Sequence, residues 1–184
     1  MLPTLLAGLT VYLVLGIAYF GFRRPGYSHL RHTISELGED GAPHRKIVSW
    51  GLFLPVGAGL LLLGVLLANA NPPLRGLLLC LGTGYVVAAV FPCDAGSPSS
   101  GSPRQTLHNL GGAVEYIGGI FFLQQAPDQL WLKQTINPTA QIGLLLGCLL
   151  ATSLPNFPLR GLAQRTAEAL LFGQALWLSR HMAG

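Results

Sequence analysis

The feature that most constrains this chain is where its charge is missing. Residues 2–22 (LPTLLAGLTVYLVLGIAYFGF) hold no charged side chain over 21 positions. At about 1.5 Å per residue, such a helix crosses a hydrocarbon core of about 30 Å. Uncharged runs recur at 47–68, 76–92 and 138–154. Two further stretches are less pure: 107–124 contains His108, Asn109 and Glu115, and 159–180 contains Gln164, Arg165, Glu168 and Gln174. Only 10% of the 184 residues are charged, against about 25% in an ordinary soluble domain. A disordered chain, a coiled coil and a nucleic-acid-binding domain resting on a basic surface are excluded. The expected fold is all-α: a polytopic six-helix transmembrane bundle forming one domain over 1–184, with a short amphipathic helix in loop 1.

A signal peptide is the competing reading of 2–22. It needs a basic leader and a shorter apolar run, so a retained first helix is expected. Pro55 is expected to kink the second span. Gly143 and Gly147 form a GxxxG pair suited to close helix approach. Cys80, Cys93 and Cys148 are widely spaced and form no CxxC pair; the first and last fall in apolar spans as packing residues. Residues 95–103 (AGSPSSGSP) read as a loop. An interfacial amphipathic helix competes with a sixth span whose polar stripe faces inward.

Six spans place both termini on one side and loops 1, 3 and 5 on the other. Those loops hold Arg23, Arg24, Arg31, Arg45, Lys46, Arg104, Arg160 and Arg165, eight of the eleven cations. The positive-inside bias then makes these loops cytoplasmic and the termini external.

Loop 1 is patterned. Ser28 is placed to cap a helix from about His29 to Leu37, ended by Gly38. His29, His32 and Glu36 would share one face of it, as a metal or proton face or simply a solvated one. Glu39-Asp40-Gly41 reads as an exposed acidic turn. Asp94 follows the third span and His108 opens the fourth, so a loop of 13 residues joins them on one side. An Asp that orients a His is an acid/base pair; the competing role for Asp94 is bonding loop amides or capping helix four. Glu115 lies mid-span, where an unpaired carboxylate is costly and an ionisable group is a functional candidate. Its expected partners are Arg165 or a polar residue of helix six; Arg165 and Glu168 can also pair along that helix. His108 and Glu115 are seven residues apart, about 10 Å of rise. They could mark the mouth and floor of a polar cavity, but could not easily ligate one metal.

The strings His32-Thr33-Ile34-Ser35-Glu36-Leu37-Gly38, Phe91-Pro92-Cys93-Asp94-Ala95-Gly96 and His108-Asn109 resemble, in that order, a bacterial and archaeal membrane family catalogued as domain of unknown function 998. The likeness covers nearly the whole chain. It implies the same six-span architecture and a prokaryotic plasma-membrane location, and it highlights Ser35, Glu36, Asp94, Gly96 and His108 without naming a reaction. A more distant likeness is to transmembrane hydrolases such as alkaline ceramidases, which use a Ser, an Asp and three His around zinc. Here helix six offers only His181, at its end, in place of an HxxxH pair. A divalent metal such as zinc is therefore a candidate cofactor with two ligands missing.

Three functions follow as expectations. The first is a membrane-embedded hydrolase of lipid-like substrates with its site on the loop 1/loop 3 side: His108 as acid/base, Asp94 orienting it, Ser35 and Glu36 binding substrate, metal or water, and Glu115 lining the cavity. The second is a non-enzymatic binding or assembly subunit. The third is a small proton-coupled transporter using Glu115 and Glu168, which would need a homo-oligomer. Membrane lipids are the expected partners. No phosphate-cradling loop, GxSxG elbow or CxxCH site occurs.

Overall fold

The computed structural model describes residues 1–68, 71–126 and 137–181. Among these residues, six long helices form: α1 (Leu2–Arg23), α2 (Arg45–Leu66), α3 (Pro72–Val90), α4 (103–124), α5 (Pro138–Ser153) and α6 (Arg160–His181). Each coincides with one expected span to within a few residues, and no strand occurs among the described residues. Asp128 and Lys133, in the loop before α5, lie outside the described residues.

Helices α1, α2 and α3 are long and apolar enough to cross a membrane, and Thr139–Ser153 is a shorter apolar helix. The outward surface is apolar. Val11, Leu15, Leu62, Val65, Leu66, Phe121, Leu144 and Leu150 are all exposed, more large apolar side chains than a soluble protein displays. Polar groups turn inward instead: Gln105, His108, Glu115, Gln141, Gln164, Glu168 and Gln174 are buried. This is a helical membrane bundle whose polar residues are spent on its interior.

Packing follows the small residues. At Gly57 a Cβ would meet the Val86 backbone nitrogen at 2.7 Å and the Gly82 oxygen at 2.8 Å. These two glycines let α2 and α3 come into backbone contact. Helix α3 also packs on α4 and α6, α5 on α6, and α1 on α2 and α6. By contrast, Gly143 and Gly147 meet nothing within 4 Å, so the GxxxG stripe is open.

Two helices contain a wide turn. Val48–Phe53 of α2 is a π-helix that ends just before Pro55. A looser turn accommodates a proline that lacks an N–H to donate. Val114–Gly118 of α4 is the second, and within it consecutive residues Glu115 and Tyr116 are both buried.

Loop 1 departs from the expected continuous helix over 29–37. It makes a turn at Ser28–His32 and then a 3-10 helix, Ser35–Gly38. Side chains capture the amides a helix would need. The Ser28 N–H donates to His32 Nδ1 (2.8 Å), the Thr33 N–H to Glu36 Oε1 (2.8 Å), and the Ile34 N–H to Gln164 Oε1 on α6 (2.6 Å). Ile34 and Leu37 enter the core while Leu30 stays exposed. Loop 1 thus folds over the bundle, and His29, His32 and Glu36 share no common face.

Candidate functional site

Loops 1 and 3 and the start of α6 meet at one end of the bundle. Asp94 lies beyond the end of α3, where its carboxylate accepts from the Ser102 N–H (2.8 Å), the Ser102 hydroxyl (2.7 Å) and Arg104 (3.0 Å). Ser102 in turn caps α4 by accepting from the Gln105 N–H. Gln105, fully buried, accepts from the Asp94 N–H (2.7 Å) and donates to the Pro98 carbonyl and to Asn109. The Ser102 amide and hydroxyl, with Arg104, hold the Asp94 carboxyl below the usual carboxylate range. Arg104 does the same, as the largest influence, for Asp40. Asp94 therefore closes loop 3 and does not touch His108. Ser102 sits at the helix mouth and reaches it first; His108 lies about 8 Å further along α4 than Pro103.

Glu39 is buried, unlike the exposed turn expected of it. It pairs with Arg24 and accepts from the Gly96 N–H (2.6 Å). Asp40 and Gly41 are exposed. The Glu36 carboxylate accepts from Thr33 and lies 4.0 Å from Arg160. Buried Arg160 donates to the Gly96 (2.8 Å) and Ser97 (2.7 Å) carbonyls. Three chain segments are thus pinned together by charged hydrogen bonds, the stronger kind. Cys93 donates its thiol to the Ser35 carbonyl at 3.4 Å, and burial pushes that thiol up to about 12.

A cavity of about 410 Å³ opens beside this rim. Its polar lining includes Thr33, Ser35, His108, Tyr116, Arg160 and Gln164, and its apolar side comes from Leu149 and Leu150 of α5. His108 Nδ1 lies 3.0 Å from the Phe91 carbonyl. A carbonyl oxygen only accepts, so this contact places the proton on Nδ1 and leaves Nε2 as an acceptor. The structure brings Ser35 and His108 to one cavity. It does not bring Glu36 or Asp94 into the lining.

Glu115 is not a wall of this cavity either. It lies against Gly84 of α3 and within hydrogen-bonding reach of Glu168 on α6. Glu168 accepts from the Tyr116 hydroxyl at 2.7 Å and the Tyr85 hydroxyl at 3.0 Å. Arg165, one of the two partners expected for Glu115 and the one expected for Glu168, turns away. It donates to the carbonyls of His29, His32 and Gly161 and to the Tyr27 hydroxyl. A second, mainly apolar groove between α1 and α6 is lined by Leu13, Val14, Ile17, Phe172, Arg165 and Glu168.

The spacing of residues did not single out Arg160, Gln105, Tyr85 or Tyr116. The available signals were an arginine beside an apolar span and a tyrosine adjoining a mid-span acid. Among the described residues, no group of three or more His, Cys, Asp or Glu could hold a metal, so the donor set does not fit a zinc site. No curated protein and no solved structure matches this chain. The family model described as "Protein of unknown function (DUF998)" matches residues 5–181. With its elements at the rim of one helical membrane bundle, the chain belongs to that family.

Proposed function

We propose that the cavity on the loop 1/loop 3 side is a reaction site for a lipid-like substrate and that the chain is a membrane-embedded hydrolase. The observation that carries this reading is His108: one ring nitrogen is tied to the Phe91 carbonyl, and the ring lines a cavity with both polar and apolar walls. A fixed tautomer with an open Nε2 suits a general base. His108 would take a proton from water at Nε2 and return it to the leaving group. Arg160, Gln164 and Ser35 would contact the headgroup, and Leu149 and Leu150 the apolar portion. Asp94 and Glu36 become positioning residues, since they hold the rim without facing the cavity. The cation bias of loops 1, 3 and 5 supports a cytoplasmic opening.

The test is turnover by the purified protein in nanodiscs. A panel of lipids carrying ester, amide and phosphoester headgroup bonds is incubated with it, and products are read by mass spectrometry. Cleavage of a panel member, lost in His108→Gln, is expected. Consumption of no member above the His108→Gln background overturns the reading. It would favour an assembly role, in which these substitutions lower stability alone.

A further inference from the structure

The interior acids carry a separate inference. Glu168 sits between two cavities. The residue lines the groove between α1 and α6, while its hydrogen-bond donor Tyr116 lines the loop-side cavity. Its acceptor oxygens are well used: Oε1 takes the Tyr116 hydroxyl and Oε2 the Tyr85 hydroxyl. Glu115 is served differently, because its Oε1 is buried with no hydrogen-bond partner. Two carboxylates are acceptors only, so a hydrogen bond between the Glu115 and Glu168 side chains requires a proton on one of them. The counting of donors assigns it to Glu115, which donates to Glu168.

Among the described residues, no ion pair brings a cation to Glu115 or Glu168. The groups facing them are Tyr85 and Cys80 from α3 and Tyr116 from α4. On α6, Arg165 lies one turn before Glu168 but is spent on loop 1 carbonyls. Helix α1 presents Thr10 and apolar side chains, and loop 1 brings His29 to the same groove. Two buried like charges within hydrogen-bonding reach of each other cannot both persist without a counter-ion.

We propose that Glu115 and Glu168 form a proton-binding site that exchanges with the loop-side cavity through the Tyr116 hydroxyl. The Tyr116 O–H passes its proton to Glu168 Oε1 while a cavity water passes one to the Tyr116 oxygen. The phenol is regenerated, the water is left as hydroxide, and the pair gains one proton. The reverse sequence releases it. The wide turn at Val114–Gly118 places both Glu115 and Tyr116 inside, and such turns often accompany functional sites. This site stands independently of the reaction proposed above.

Infrared spectroscopy of the purified protein tests it. At neutral pH the wild type is expected to show a protonated-carboxyl carbonyl band that is lost in Glu115→Gln. In D2O the band should shift, and Tyr116→Phe should keep the band but slow the shift about tenfold, the effect of one lost hydrogen bond on a rate. Absence of a band that Glu115→Gln removes overturns the proton site. A wild-type exchange rate in Tyr116→Phe overturns the route. Tyr116→Phe deletes only a hydroxyl, so the exchange test stands even where Glu115→Gln fails to fold.

Discussion

Replacing Gly84 by alanine should dislodge an acid on another helix. A Cβ at Gly84 would lie 2.7 Å from the Glu115 Cβ and 2.8 Å from its Cδ, well inside van der Waals contact. Overpacking of this kind costs about 1–3 kcal/mol. Moving Glu115 also sacrifices its hydrogen bond with Glu168, about 1 kcal/mol. Alanine regains up to about 1 kcal/mol of helix propensity over glycine. The net expectation is a loss of about 2 kcal/mol in Gly84→Ala. Equilibrium unfolding in mixed micelles of sodium dodecyl sulfate and a mild detergent reads it. In a Glu115→Gly background the Cβ and carboxylate contacts are both gone, so the same substitution should be neutral or stabilising, giving a coupling of about 2 kcal/mol. Equal costs in the two backgrounds would refute the packing of Glu115 on Gly84.

Other outcomes follow from the rim. Arg160→Gln removes charged bonds to the Gly96 and Ser97 carbonyls and should cost about 3 kcal/mol, read in the same unfolding assay. Acid should weaken loop 3. The Asp94 carboxyl is held low in the folded state, so its contribution is complete above the usual carboxylate range and is lost as pH falls through the lowered value. The thermal midpoint of Asp94→Asn should therefore lie below wild type at neutral pH and converge with it in strong acid. Cys93, pushed up to about 12 by burial, has almost no thiolate at pH 8 and should resist maleimide until the protein unfolds.

The architecture was legible because uncharged length is a property of composition: 2–22 and 76–92 could be little else than buried or lipid-facing helices. The rim was half legible. Ser35, Glu36, Asp94 and His108 do gather at one end, since spans force loops 1 and 3 to the same side. Which of them touch was not legible. Asp94 had Ser102 at a helix mouth as a nearer partner than His108, and a one-dimensional spacing does not rank those two. The broken helix in loop 1 depends on Ile34 bonding Gln164, 130 positions away. The pairing of Glu115 with Glu168 rather than Arg165 depends on loop 1 carbonyls capturing the arginine.

Filling the cavity tests the account most directly. Gly112 of α4 lines it, and a Cβ there meets nothing within 4 Å. Gly112→Leu should occupy the space without disturbing the bundle, and a helical glycine replaced by leucine gains rather than loses stability. Turnover of the nanodisc lipid panel is the measurement. Unfolding at or above the wild-type denaturant, with turnover abolished, is the result this account predicts. Wild-type turnover in a stable Gly112→Leu protein would contradict it.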